Sequence, residues 1–430
     1  MTSKAIRIGA AEYGGTFLLQ DGPAQSYVLP GELVTADGDG AVPTILEASG
    51  SRVEPRCRHF GVCGGCHYQH ADYAAQLQLK VGLLEGIFAA GGLANLPQIG
   101  THAGEPWGYR NRIRLRVETV AGDLRVGYSL RGSNQFLLIA ECPIAAPLLW
   151  RGAQALLRLA ARDANAARWL AVTSEIELFC SGDESRLQMT FFLREPSLDG
   201  GSFPGFCGRI QAEVPELAGA GAELDPELNR RVRRRWAGVG WGAPGLNYDV
   251  AGRTYWVSRG AFFQVNRFLV EQLVRLACGD ASGELAWDLF AGAGLFSRAL
   301  AERFGRVVAV EAGDAAAADL AVAAKGGKGR PAFEAVHAAT LEFLRARELQ
   351  RERPELIVLD PPRAGVGADA AAVLARVGAA QLVYVSCDPV TLARDLAVLT
   401  RQTYRVESVD MIDLFPQTFH IETVVRLTRR

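Results

Sequence analysis

Lysine is nearly absent from this chain of 430 residues: it occurs only at Lys4, Lys80, Lys325 and Lys328, and arginine carries the rest of the positive charge. Net charge is also lacking. Forty-six Lys and Arg stand against 47 Asp and Glu, for a formal charge of -1. That excludes a global positive field, so any contact with nucleic acid must come from local basic patches. No run of about 18 apolar residues occurs, so no membrane span is expected. The opening MTSKAIRIGAAEYGG has no apolar core of the kind a secretory signal needs, and the expected location is the cytoplasm. Cysteine is scarce: eight residues are too few for a disulfide scaffold.

Hydrophobic residues make up 49% and charged residues 22%, an ordinary globular balance, and the length suits two or three domains. The scarce cysteines are not evenly spread. CRHFGVCGGCHYQH, residues 57–70, holds Cys57, Cys63 and Cys66 at C-x5-C-x2-C, with His59, His67 and His70 among them. Thiols so closely spaced in a reducing compartment point to a metal, yet three are one ligand short of a closed tetrahedral site. Residues 1–53 break into short strand-like stretches interrupted by glycines and by Pro30-Gly31, which suggests a small β-barrel. Leu77, Val81, Leu84 and Ile87 recur at helical spacing and stop at Gly91-Gly92. Arg110, Arg112, Arg114 and Arg116 alternate with Asn111, Ile113, Leu115 and Val117, so a strand would put the arginines on one face. That face is either simply solvated or a strip that tracks phosphates. RRVRRRW, residues 230–236, is a second basic cluster with no periodic face.

From about residue 255 apolar strands alternate with alanine-rich helices, the pattern of a doubly wound, Rossmann-like parallel α/β sheet. Ligands in such a sheet bind beyond the carboxyl ends of the strands. Asp288 closes one strand and leads into Ala291-Gly292-Ala293-Gly294, where glycines let backbone approach a ligand. Glu311 ends the next strand, and an acid there suits a ribose diol. The pair fits an adenosine-containing cofactor, S-adenosylmethionine as well as NAD. Asp360-Pro361-Pro362 at a further strand end resembles the catalytic loop of S-adenosylmethionine-dependent nucleic-acid methyltransferases. The next strand ends in Ser386-Cys387-Asp388-Pro389. A thiol suits methylation of a pyrimidine C5, which becomes nucleophilic only after a thiolate adds at C6. A base must then remove the C5 proton, and Glu422 is the candidate.

The motifs FFQVN (262–266), DLFAGAG (288–294), LDPPRAG (359–365), VSCDPVTLARDL (385–396) and DLFPQTFHIETVV (413–425) together resemble the RNA uracil-C5 methyltransferases. The resemblance covers nearly the whole chain and is weakest over 150–250. It implies a nucleophile at Cys387, a base at Glu422 and cofactor contacts at Gln264, Phe290, Glu311 and Asp360. It further implies a TRAM-like barrel over 1–53, an iron–sulfur and RNA-binding region over 54–255 and a methyltransferase domain over 256–430. Members with this cysteine segment carry a [4Fe-4S] cluster with a fourth ligand in a Cys-Pro-Ile context, here Cys142, completing C-x5-C-x2-C-x75-C. The histidines of the segment would then flank the cluster or face RNA. The implied partner is RNA, with 23S ribosomal RNA favoured over transfer RNA, and no obligate protein partner is evident. Cytidine-C5 methylation and a non-catalytic iron–sulfur RNA binder are the competing readings. The chain departs from the family at Ala291 and Leu295, in the Asn-poor stretch after Glu311, and at Asp388, where the family more often has asparagine. An acid beside the nucleophile opposes its ionisation unless the charge is paired.

Overall fold

The computed structural model describes residues 5–19, 22–35, 43–195, 200–225, 238–325 and 333–430. The basic cluster at 230–236 lies outside the described residues. The chain divides into two compact units: Met1–Pro55, Cys66–Gly104 and Leu269–Arg430 form one, Arg56–Gly65 and Glu105–Phe268 the other. The division passes through the cysteine segment, between Gly65 and Cys66.

The first unit is built on an eight-stranded sheet in the order Glu334–His337, Phe304–Glu311, Gly283–Leu289, Leu356–Leu359, Gln381–Ser386, Glu422–Arg429, Tyr404–Ile412, Ile99–His102. Its first five strands are parallel. They are short apolar runs, LIVL at 356–359 being buried throughout, as strands covered on both faces must be. Glu422–Arg429 then enters antiparallel between its neighbours. The doubly wound α/β arrangement is thus present, with a mixed edge. Strand order reverses between Gly283–Leu289 and Leu356–Leu359, which opens a crevice at their carboxyl ends.

Strands Ala5–Glu12, Thr16–Leu19, Gly22–Gln25, Leu33–Thr35 and Thr44–Glu47 form a separate five-stranded antiparallel sheet. Among the described residues its end strands, Gly22–Gln25 and Thr44–Glu47, do not pair to close a barrel. Glu32, wholly buried, holds this module together. It accepts from Leu29 N at 2.8 Å, from Ser49 N at 3.0 Å and from the Arg52 guanidinium at 2.6 and 2.7 Å.

The helix expected from the Leu77 spacing is Tyr73–Ala90, capped by Asp72, which accepts from Ala75 N at 2.8 Å, and ended at Gly91. Its most buried positions include Gln76 and Lys80. Lys80 Nζ donates to Asp413 Oδ1 at 2.6 Å and to the Phe415 carbonyl at 2.9 Å, and both charged side chains are fully buried. Lys80→Ala would leave the Asp413 carboxylate without its cation. The expected loss is about 3–5 kcal/mol of unfolding free energy. Urea denaturation measures it, and a loss under about 1 kcal/mol would mean that Asp413 is satisfied by another donor.

The second unit has a seven-stranded sheet whose central strands are Leu187–Leu193, Thr173–Cys180 and Arg112–Val120. Helices Pro147–Ala160, Ala164–Ala171 and Phe203–Glu213 cover it over a core that includes Leu156, Trp169, Phe191 and Phe206. Arg112, Arg114 and Arg116 do share a face, but their charges are answered on it. They pair with Glu177 at 3.2 Å, Glu175 at 2.6 Å and Glu118 at 2.9 Å. Arg112 and Arg114 also lie over Phe179 and Phe192, at 4.2 and 4.0 Å from the ring centres. This favours the solvated sheet face over a phosphate-tracking strip. Arg110 precedes the strand and bridges to Ala145 and Asn266.

Candidate active site

In the first unit, Asp288 lies near the end of Gly283–Leu289, fully buried. Ser297 Oγ donates to its Oδ2, while Oδ1 is buried without a hydrogen-bond partner among the described residues. Burial pushes this carboxyl from an ordinary 3.8 up to about 7. The folded state therefore holds the proton more tightly than the unfolded chain. Stability from this group is complete below about 3.8 and is lost as pH rises through about 7. Asp288→Asn keeps an acceptor for Ser297 and removes the titration. Its Tm is expected to climb relative to the parent between about pH 4 and pH 7 and to hold level above. Thermal melts across that range test this, and a gap independent of pH would refute it.

The chain then turns sharply. Phe290 has φ 62°, in the left-handed region, followed by Gly292 at 55° and Gly294 at 84°. At Gly294 an added Cβ would press on Leu320 and Phe333 at 3.2 Å, so glycine is required by space as well as by φ. Glu311 fixes the loop from the neighbouring strand. Its carboxylate accepts from Gly292 N at 2.9 Å, Ala312 N at 2.9 Å and Gly313 N at 2.7 Å. An acidic acceptor, a close-approach glycine loop and an unpartnered buried carboxyl oxygen together fit the adenosyl part of a cofactor.

Asp360 follows Leu356–Leu359, its amide bonded to the Leu289 carbonyl at 3.3 Å, which sets it beside the Phe290 turn. The Asp-Pro-Pro loop is tied to the helix Pro389–Leu399. Buried Asp395 of that helix accepts from Val366 N at 2.9 Å and from Tyr384 Oη at 2.7 Å. Thr391 Oγ1 donates to the Arg363 carbonyl at 2.9 Å, and Arg394 to that of Ala364 at 2.8 Å.

Cys387 lies between the strand Gln381–Ser386 and that helix. Ser386 pairs with Thr423 across the antiparallel ladder, so one step further the register sets Cys387 beside Glu422. Burial raises the Cys387 thiol to about 12; the carboxylates of Glu422 and Asp360 push the same way and Arg363 opposes them. Glu422 is itself pushed well above the carboxylate range, first by burial and then by the charge of Asp360. Cys387, Asp360 and Glu422 thus lie within electrostatic reach of one another at the strand ends.

The loop before Glu422 is held by residues remote from it in sequence. The Gln417 carbonyl accepts from His67 N at 2.8 Å and Tyr68 N at 3.0 Å. Gln76 and Gln417 exchange two further bonds, at 3.0 and 2.9 Å. The fourth residue expected at the cofactor, Gln264, belongs to the second unit, where its carbonyl accepts from buried Asn111 at 2.9 Å.

Of the expected metal ligands, Cys57, Cys63 and Cys142 lie in the second unit, and Cys66 is the first residue where the chain re-enters the first. None is in a disulfide. Burial raises the first three thiols, and the charge of Cys142 adds to that at Cys57 and Cys63, so the three lie within electrostatic reach of one another. Tyr128 Oη donates to Cys142 Sγ at 3.7 Å, and Arg110 also favours the Cys142 thiolate. The donors have iron–sulfur chemistry, but among the described residues no group of three or more is gathered to hold a metal ion. His70 is among the buried residues of the segment. It bonds the Val28 carbonyl at 3.0 Å and is driven by burial down to about 4, hence neutral.

Residues 246–430 match the tRNA (Uracil-5-)-methyltransferase family. The chain is 33% identical to the 23S rRNA (uracil(1939)-C(5))-methyltransferase RlmD of Chromohalobacter salexigens, over 89% of this chain and 78% of that one. It is 31% identical to an uncharacterized RNA methyltransferase of Rhizobium meliloti, over 98% of both. The Pyrococcus abyssi tRNA (uracil-54, C5)-methyltransferase, solved with S-adenosyl-L-homocysteine, shares the fold with a TM-score of 0.74 at 20% identity, over 99% of this chain and 100% of that one. The strand-end constellation and these similarities lead to one conclusion: the chain belongs to the RNA uracil-C5 methyltransferase family.

Proposed function

We propose that the protein methylates C5 of a uridine in RNA, with 23S ribosomal RNA as the substrate class, through a covalent bond from Cys387 to C6 of the base. The observation that carries this is the register that sets Cys387 beside buried Glu422, with Asp360 acting on both. The Cys387 thiolate adds to C6, and the electron pair released makes C5 an enolate carbon able to take a methyl group. When bound, S-adenosylmethionine supplies that methyl as an electrophile on a sulfonium. Glu422 then removes the C5 proton, and the electrons of that bond expel the Cys387 sulfur, restoring the uracil double bond. Glu311 would accept from the ribose hydroxyls and Phe290 would lie along the methionine portion. Asp360 would complete the cofactor contacts that this unit supplies. Similarity to the ribosomal enzymes, at higher identity than to the transfer-RNA enzyme, supports the choice of substrate class.

The same proposal gives Cys57, Cys63, Cys66 and Cys142 a [4Fe-4S] cluster, and residues 1–53 a TRAM-like role in holding RNA. The cluster's role here would be structural. It would pin the cysteine segment to the sheet that carries Arg110–Arg116. Cys142→Ala, purified without oxygen, is expected to lose essentially all bound iron and sulfide. Retention of the parent's iron content would remove Cys142 from the ligand set.

The test of function is methyl transfer from labelled S-adenosylmethionine to unmodified ribosomal and transfer RNA, followed by nucleoside analysis. Label in 5-methyluridine from ribosomal RNA is the expected result. No label on either RNA, with no cofactor affinity by calorimetry, would leave an RNA-binding protein of the same fold.

A further inference from the structure

Residues 413–421 join the strands Tyr404–Ile412 and Glu422–Arg429, and Ile412 faces Glu422 across the last rung. On its other side Glu422 stands one residue beyond the ladder, whose last pair is Ser386 with Thr423. The sheet holds Glu422 from one side only, so its placement also depends on the loop it leaves. A connecting loop normally lies at the surface, where water satisfies its polar groups. This one is sunk: Asp413, Leu414, Gln417, Thr418 and Ile421 are all buried.

Within the loop Gln417 has φ 69°, in the left-handed region that is costly for a residue with a side chain. Such a conformation persists only where the surroundings over-determine it. Hydrogen bonds to both sides of the residue do so here. Gln417 N donates to Gln76 Oε1 at 2.9 Å, and Gln76 Nε2 donates to Gln417 Oε1 at 3.0 Å. The Gln417 carbonyl accepts from the His67 and Tyr68 amides at 2.8 and 3.0 Å. Gln76 is itself fixed. It is buried near the start of the helix Tyr73–Ala90, and its Nε2 also reaches the Ala71 carbonyl at 2.9 Å. A buried amide destabilises a fold unless both its ends are bonded. Both ends of this one are, and to a single strained residue.

We propose that Gln76 is a positioning residue for the base: by gripping Gln417 at its backbone N–H and at its side chain, it holds a left-handed turn that the chain would otherwise leave, and so sets where Glu422 enters its strand. This rests on the reading of Glu422 as base. The task differs from that of Lys80, one turn further along the same helix. Lys80 anchors the start of the loop through Asp413 and the Phe415 carbonyl, whereas Gln76 selects a backbone conformation.

The test is a mutant cycle on the full-length protein: parent, Gln76→Met, Gln417→Gly and the double variant. Methionine keeps the length of the side chain and makes neither bond. Glycine adopts a positive φ without a grip. Amide hydrogen exchange over residues 413–421, read by mass spectrometry, reports the turn and needs no RNA. Gln76→Met is expected to speed it at least about tenfold and to leave the helix Pro389–Leu399 as in the parent. Single-turnover transfer from labelled S-adenosylmethionine to unmodified ribosomal RNA separates the chemical steps. In Gln76→Met the labelled protein–RNA adduct should form within about twofold of the parent's rate and release methylated RNA about tenfold more slowly. In the Gln417→Gly background the same change should cost less than about threefold. Should Gln76→Met fail to melt as a folded protein, Gln417→Ala is the milder variant. It loses the Oε1 bond alone at the same backbone cost, and should release RNA about threefold more slowly. Adduct formation and release slowed in proportion, equal losses in both backgrounds, or unchanged exchange over 413–421 would overturn the proposal. If Glu422→Gln traps no adduct while Gln76→Met still loosens the loop, the base assignment fails and the grip on the turn stands.

Discussion

Cys387→Ala is expected to lower methyl transfer by at least about 10⁴-fold while leaving S-adenosylmethionine affinity within about twofold of the parent. The asymmetry follows from where the residue sits. Cys387 follows the strand Gln381–Ser386 and faces Glu422 and Asp360, whereas the Phe290 turn and Glu311 belong to other strands. Removing the sulfur leaves the cofactor crevice as it was. It does remove the only step that makes C5 of uracil a nucleophile, since the ring has no lone pair at that carbon to offer. Single-turnover transfer from labelled cofactor measures the rate, calorimetry the affinity, and a denaturing gel the protein–RNA adduct, which should vanish. Residual activity above about 1% of the parent would mean that the methyl group reaches C5 without this thiol. Loss of cofactor affinity would mean that Cys387 supports the crevice instead of attacking the base.

The parts of this site legible in the sequence are those that lie at the ends of apolar runs. LIVL before Asp360 and QLVYVS before Cys387 announce buried parallel strands, and the candidate site residues follow directly. Supporting residues leave no such mark, because their partners are remote. Gln76 and Lys80 look like the polar face of a helix, yet they are buried against Gln417 and Asp413, more than 300 residues away. Apolar spacing located that helix correctly and misjudged which face is deepest. The arginine alternation gave the right strand face, but Glu175 and Glu177 arrive from a later strand and neutralise it. Asp395 lies within the VSCDPVTLARDL motif, yet nothing in the motif shows that it accepts from Val366 N after the Asp-Pro-Pro loop; only the fold brings the two together.

Glu422→Gln should separate the two halves of the reaction. Glutamine keeps the shape of the side chain beside Cys387, so addition at C6 and methylation at C5 remain open. Removal of the C5 proton does not, and without it the Cys387 sulfur cannot leave. Turnover is expected to fall about 10²–10⁴-fold, the usual worth of a placed base, while a methylated protein–RNA adduct accumulates. Labelled adduct on a denaturing gel, present here and absent in Cys387→Ala, is the distinguishing result; its absence would remove Glu422 from the role of base. Stability should move the other way. Burial and Asp360 raise the Glu422 carboxyl, so the folded state holds its proton more tightly than the unfolded chain does. Stability from this group is present at acid pH and lost as pH rises through the raised value. Glutamine has no proton to lose, so the variant should melt with the parent near pH 4 and above it near pH 8. An enzyme that is more stable without its base has placed a carboxyl where burial disfavours its charge. In the proposed role, that placement would give the carboxylate, once formed beside a bound uracil, the basicity to take a carbon-bound proton.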